Sequence, residues 1–147
     1  MRDAEASGHK LGQRIVVVKV NNEREIEAGF TTIAQAGAGA LLVGAGAYLT
    51  SKRYLLVALA ARHAIPAMYT NRIYATAGGL ISYGTSFTGA YREAGVAVGR
   101  ILKGSKPADL PVVQPTKFEL VINLATAKAF GIKIPLTLQV GADEVIE

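Results

Sequence analysis

The sequence predicts an α/β fold in three layers, with helices on both faces of a mainly parallel sheet. Short apolar runs alternate with segments whose apolar residues recur at helical spacing, the pattern of repeated strand–helix units. Of the 147 residues, 50% are hydrophobic and 18% are charged, so burial can offset the entropy lost on folding. The length fits one domain, or one lobe and part of another.

The first half of the chain contains three predicted strands and two predicted helices. Residues 15–18 are four consecutive β-branched residues, typical of a strand covered on both faces. Asn22 and Glu25 have the spacing of a capping box at a helix start. We expect residues 1–13 to be a disordered polar leader. The predicted elements are strands at 15–18, 40–43 and 65–69, and helices from Asn22 to about Gln35 and from about Thr50 to His63.

The second half repeats this alternation. A glycine pair precedes the strand at 80–83, and Gly104 is placed as the C-terminal cap of a helix from about Thr88 to Lys103. Residues 107–115 are expected to form an extended crossing segment rather than a helix or a strand. The remaining elements are a strand at 118–122, a short helix at 125–130 that Asn123 caps and Gly131 ends, and a final tail containing Pro135.

Composition excludes several classes of protein. The chain has no cysteine, which excludes disulfide scaffolds, iron–sulfur clusters and Cys-ligated zinc. The net charge of +5 comes from scattered basic residues, so we expect no nucleic-acid partner. The apolar runs are too short to span a membrane. Residues 1–5 include acids and lack an apolar core, so no secretory signal is expected in this chain.

The pattern of polar residues does not favour an enzyme. The only histidines are His9, in the polar leader, and His63, which we interpret as a packing residue or charge at a helix end. No serine lies in a G-x-S-x-G motif, and no histidines or carboxylates have the spacing of metal ligands. We therefore expect no catalytic residue, no metal and no cofactor.

Two glycine-containing segments resemble nucleotide loops only in part. Residues 99–106 have Ser and Lys in the wrong order for a phosphate loop and follow a helix, so a helix cap is the better interpretation. Residues 44–46 do lie between a strand and a helix, but they lack the third glycine of a dinucleotide loop. Turn geometry, or close approach of the backbone to another ligand, is favoured there.

Candidate binding residues follow from a topological rule: in open parallel sheets, ligands bind beyond the carboxyl ends of the strands. The residues there offer hydrogen bonds and aromatic faces but little acid–base chemistry, as in a recognition surface. For the tyrosines, plugging the rim of the sheet is the alternative to stacking on a ligand. For Arg72, a solvated loop charge is favoured over grip on a carboxylate. The candidates are Asn21, Gly46, Tyr48, Tyr69, Asn71, Arg72, Tyr83 and Thr85.

Several stretches together resemble the ABC-transporter substrate-binding proteins of the tryptophan/tyrosine-permease type. The resemblance covers nearly all of the chain after about Ser7. Taken singly, several of these stretches encode only strand–turn–helix geometry, but as a set they are specific. They are residues 39–44, 56–67, 77–86, 99–104, 107–112, 115–124 and 142–146.

The resemblance implies a type I periplasmic-binding-protein-like architecture, in which two hinged α/β lobes close on a small-molecule solute and deliver it to an ABC permease. It implies that residues 14–77 form much of the C-terminal lobe and that residues 78–106 return to the other lobe. Residues 107–147 would then supply a crossing segment, the last strand, a short helix and a tail. It also implies a periplasmic location.

The resemblance further implies that most of the N-terminal lobe is absent from this sequence. The helix stripe with Tyr91, Val98 and Leu102 and the strand at 80–83 would then lose their partner. We expect them to fold back onto the sheet or to pair with a second copy in a homodimer formed by exchange of elements. Two other classes stay open: the ligand-sensing core of a repressor, and a fragment of a nucleotide-binding enzyme.

Overall fold

The computed structural model describes the backbone of residues 2–147 and the side chains from residue 5 onward. A 3₁₀ turn, Pro107–Asp109, interrupts an otherwise irregular segment between the last long helix and the fourth strand. The helices and strands are α1 Arg2–Lys10, α2 Glu23–Gln35, β1 Leu41–Leu42, α3 Ala47–Ser51, α4 Arg53–Arg62, β2 Ala67–Tyr69, α5 Arg72–Thr76, β3 Ile81–Thr85, α6 Phe87–Leu102, β4 Phe118–Asn123, α7 Leu124–Ala129, α8 Leu136–Val140 and β5 Glu144–Ile146.

The strands form one sheet in the order β1-β2-β3-β4-β5. β1, β2 and β3 are parallel, β4 is antiparallel to β3, and β5 is parallel to β4. The predicted α/β fold with a mainly parallel sheet is confirmed. β3 is the central strand and joins the parallel part of the sheet to the β4–β5 pair.

One face of the sheet carries the hydrophobic core. Tyr69 of β2 and Ser82 of β3 are paired residues on this face, and both are almost fully buried. α2 and α4 pack against each other over the first two strands, while α5 packs on β3 and β4. The core side chains are Ile26, Phe30, Ile33, Val43, Leu56, Leu59, Ala60, Ile65, Ala67, Tyr69 and Tyr74.

The opposite face is covered only in part. Side chains alternate between the two faces along a strand, so Leu42, Tyr83 and Phe118 point away from the core, and they are 63%, 49% and 47% exposed. On the same face Ile122 of β4 is fully buried. This face is therefore shielded around Ile122 and open at the three exposed side chains.

The helix caps that the sequence predicts are present in the structure. Asn22 accepts a hydrogen bond from the Glu25 N–H at 2.9 Å, and its amide donates to the Glu25 carboxylate at 2.8 Å. Asn123 accepts from the Thr126 N–H at 2.9 Å and so begins α7. Gly104, with φ of 101°, ends α6. These caps were predicted, and they fix the helix ends to within one or two residues.

The predicted strand at 15–18 is wrong. These residues are extended, but they pair with no strand in the described part of the chain, and their side chains are 36–44% exposed. β-branched residues favour extended backbone, whereas a strand also needs a neighbour for its backbone groups. Here the segment lies against α2, with Val18 beside Gly29, and not in the sheet.

Both termini are more regular than predicted. The expected disordered leader contains α1, whose last turn carries His9 and Lys10, as the helix dipole favours. Gly8 of α1 packs closely on Ile15. The expected tail after Gly131 contains α8 and β5, and α5 was not predicted. These elements are only three to nine residues long, so their sequence periodicity is weak.

We expect Gly84→Ala to destabilise the fold strongly. A Cβ atom at this position would lie 1.8 Å from the Thr70 carbonyl oxygen, and neither backbone can move away without breaking the β2–β3 pairing. The loss should be about 3 kcal/mol of unfolding free energy or more, measured by urea denaturation. Gly99→Ala in α6 is the control, since a Cβ atom at that position would have no other atom within 4 Å, and this variant should gain about 0.5–1 kcal/mol.

We also expect the fold to weaken in alkaline solution. Burial raises the pKa of Tyr69 and Tyr74 above the ordinary value of 10.0, so the folded state holds these protons more tightly than the unfolded state. The associated stability is present below pH 10 and is lost as the pH rises further. The unfolding free energy measured from pH 8 to 11 should fall less steeply in the Tyr69→Phe/Tyr74→Phe double variant, and an unchanged slope would contradict this origin.

Candidate functional site

The carboxyl ends of β1, β2 and β3 lie at one edge of the sheet because the three strands are parallel. We call the loops that follow them the carboxyl edge: residues 43–48, 70–72 and 84–86. Two of these loops touch directly, since the Gly84 backbone lies against the Thr70 carbonyl. Only glycine permits this approach, and it places Asn71 next to the end of β3.

Asn71 is the most constrained polar residue at this edge. It precedes α5 with extended backbone (φ −159°, ψ 158°), yet its side chain caps no N–H of that helix. It is 6% exposed, and its Oδ1 atom accepts no hydrogen bond. Because a buried acceptor without a donor is costly, Asn71 offers an acceptor for the donor group of a ligand.

Three other predicted residues belong to the carboxyl edge, and a fourth, Tyr83, lies beside it on the open face of the sheet. Gly46 precedes α3, and Tyr48 in the first turn of α3 packs against the core with part of its ring accessible. Thr85 is half-buried at the end of β3. Tyr83 lies on the open face and stacks on Phe118 with ring centroids 5.6 Å apart and planes 19° apart. The edge thus combines polar groups with an accessible aromatic pair.

The remaining three predicted residues have other contacts. Tyr69 is 1% exposed and stacks on Tyr74 with centroids 4.6 Å apart, so its ring belongs to the core. Arg72 is not a free loop charge, because it forms an ion pair with Glu144 of β5. Asn21 donates from its backbone N–H and its amide to Glu25 Oε2 at 2.7 and 3.2 Å, which ties it to the start of α2.

Two buried hydroxyl groups near this edge were not predicted as site residues. Ser82 Oγ and Tyr74 Oη are shielded from solvent and have no hydrogen-bond partner of normal geometry. Burial raises the pKa of Tyr74, and the nearby Thr50 hydroxyl and Arg53 charge lower it by a smaller amount. The signal for Ser82 was its position inside the apolar run 80–83. With Asn71, they give the region behind the carboxyl edge an unusual concentration of unpaired polar atoms.

The part of the chain that the structure describes contains no group of three His, Cys, Asp or Glu side chains that could hold a metal ion. His63 follows the last residue of α4 and stacks on Phe30 with centroids 5.7 Å apart, in agreement with the predicted packing role. Nor does any helix in this part of the chain have the length and apolar character to cross a bilayer.

The fold recurs in solved structures of substrate-binding proteins. An ABC domain from Streptococcus pneumoniae solved in complex with L-Trp is 26% identical, with a TM-score of 0.86 over 99% of this chain and 50% of that chain. A ligand-free, open substrate binding protein with adhesive properties from Clostridium difficile is 18% identical, with a TM-score of 0.68 over 99% of this chain and 48% of that chain.

A conserved domain protein from Vibrio cholerae has the same fold, with 21% identity and a TM-score of 0.88 over 99% of this chain and 49% of that one. The chain thus spans about half the length of each of these structures. No curated protein matches it significantly.

The α/β fold is that of substrate-binding proteins, and polar and aromatic groups lie at and beside its carboxyl edge. Residues 1–146 match the family described as ABC transporter substrate binding protein, and the chain belongs to this family. The resemblance noted from the sequence motifs is therefore confirmed. Membership favours solute binding over the repressor core and the nucleotide-binding enzyme fragment.

Proposed function

We propose that the chain forms one wall of a solute site in an ABC importer and binds a small amino-acid-like or aromatic molecule without chemical change. The observation that carries this proposal is Asn71, whose buried and unpartnered Oδ1 atom lies at the carboxyl edge. An ammonium or indole N–H group of a solute would supply the missing donor.

The aromatic groups at the edge support the same class of ligand. Tyr83 and Phe118 form a half-exposed stacked pair, and rings with accessible faces bind flat apolar groups through stacking. Thr85 adds a neutral polar group at the end of β3. Arg72 at the same edge is paired with Glu144, so the polar contacts offered to a solute are mainly neutral.

Membership of the family supports an ABC permease as the partner and a location outside the cytoplasmic membrane. A substrate-binding protein of an ABC importer works outside the cytoplasmic membrane and hands its solute to the permease. The second wall of the site would come from a part corresponding to the half of the solved structures that this chain does not cover. The structure solved with L-Trp supports an aromatic amino acid as the first solute to test.

We expect L-tryptophan to bind the chain measurably and Asn71→Ala to weaken that binding by about ten- to a hundredfold, since one hydrogen bond between a buried acceptor and a charged donor contributes about 1.5–3 kcal/mol. Isothermal titration calorimetry would measure both dissociation constants. Arg62→Ala is the control, because Arg62 ends α4 at the opposite edge, where β2 begins.

The titration has clear contradicting outcomes. Equal binding by the Asn71→Ala and Arg62→Ala variants would move the site away from the carboxyl edge. Heat released with ATP or NAD, and none with a panel of amino acids, would replace solute binding by nucleotide binding. A thermal melt of each variant separates lost binding from lost folding.

A further inference from the structure

Arg72 is the only charged residue in the three loops of the carboxyl edge, and an acid from a distant part of the chain holds it. Arg72 begins α5 directly after Asn71, whose amide oxygen carries the proposed solute site. The Arg72 guanidinium forms an ion pair with the carboxylate of Glu144, the first residue of β5. The charge nearest to Asn71 in the sequence is therefore already balanced within the chain.

The topology of the sheet brings Glu144 to the carboxyl edge. β4 is antiparallel to β3 and β5 is parallel to β4, so β5 begins at the edge where β3 ends. Glu144 pairs with Val121, and Val121 pairs with Ser82 of the core face. Residues paired across strands lie on the same face of a sheet, so Glu144 lies on the core face, beside the first residue of α5.

Both partners of this ion pair are held by backbone contacts. The Leu120 N–H donates to Asp143 Oδ2 at 2.8 Å, and the Asp143 N–H donates to the Leu120 carbonyl at 2.9 Å. These two bonds fix the start of β5 against β4. Arg72 lies in the loop whose Thr70 carbonyl is in contact with β3. The ion pair thus joins two anchored segments, which gives its charges a defined position at the edge.

The exposure of the ion pair indicates where its charges act. The side chains of Arg72 and Glu144 are 42% and 39% exposed, and an ion pair this accessible contributes little to the stability of the fold. Its charges still act on a group bound at the edge, because binding removes water from between them. With Glu144 present, a solute meets a pair without net charge. Without Glu144, it would meet a cation in a chain whose net charge is already +5.

We propose that Glu144 is a specificity-determining residue of the solute site: by balancing Arg72, it makes the carboxyl edge select solutes without net charge over anions. The inference rests on the proposed function and names the class of solute admitted at the site. A zwitterionic or neutral aromatic molecule fits this edge. An aromatic acid of similar shape brings a net negative charge toward the Glu144 carboxylate, and discrimination between two ligands often comes from such a repulsive contact.

Three indole compounds of different charge test the role of Glu144 in titration calorimetry at neutral pH and low ionic strength. L-tryptophan has no net charge, tryptamine is a cation and indole-3-propionate is an anion. Glu144→Gln should lower the dissociation constant of indole-3-propionate about tenfold and raise that of tryptamine about tenfold, because it leaves the Arg72 charge unbalanced. The dissociation constant of L-tryptophan should change by less than about threefold, since its two charges are affected in opposite directions.

Three further variants separate a local effect of Glu144 from a general effect of charge. Glu27→Gln in α2 removes an equal charge from another element and should leave the preference unchanged. Arg72→Gln/Glu144→Gln removes both charges and should restore the wild-type preference. Arg72→Gln alone should shift the preference toward tryptamine, which tests the ion pair without changing Glu144. Lys117, whose carbonyl accepts from the Ser86 N–H, keeps its charge in every variant and cancels from the comparison.

The outcomes distinguish the inference from the proposed function. An unchanged preference in Glu144→Gln, with L-tryptophan still bound, overturns the role of Glu144 and leaves the solute site in place. Stronger anion binding that persists in the double variant, or that Glu27→Gln reproduces, also overturns this role, because the effect would not act through Arg72. A wild-type chain that binds none of the three compounds contradicts both proposals. Thermal melts confirm that each variant is folded.

Discussion

The contact between the Gly84 backbone and the Thr70 carbonyl is the constraint on which the carboxyl edge depends. β3 is the central strand, parallel to β2 on one side and antiparallel to β4 on the other. A side chain at residue 84 would force the strand away from the loop after β2. With glycine there, the loop after β2 lies against β3 and brings Asn71 next to the end of β3. The same residue thus sets the sheet geometry and the position of Asn71 in the candidate site.

The elements that the sequence predicts correctly are those with local determinants. Asn22 with Glu25, Asn123 and Gly104 mark helix ends through groups only a few residues apart, and the strands at 67–69 and 81–85 are bracketed by turn residues. The β-branched run at 15–18 fails because strand formation also needs a neighbour, and pairing is not local. β5 is not predicted because it is only three residues long, and its place in the sheet depends on pairing with β4, which is distant in the sequence.

The candidate site is predictable in position but not in detail. The rule that ligands meet parallel sheets at the carboxyl ends of strands places Asn71 and Thr85 at that edge and Tyr83 beside it. The rule does not say on which face of the sheet a side chain lies. Tyr69 is the last residue of β2, but its side chain points to the core face. The Arg72–Glu144 ion pair joins residues 72 positions apart, so no local sequence pattern predicts it.

The extended segment at 15–18 has a consequence for the behaviour of the protein in concentrated solution. Its four β-branched side chains are accessible and its backbone groups have no strand beside them, while β1 is an edge strand of two residues. An extended β-branched stretch with unpaired backbone favours edge-to-edge pairing between molecules, and the charges of Arg14 and Lys19 on either side of it oppose that pairing. A lysine in the middle of the segment would act as a gatekeeper against fibril growth.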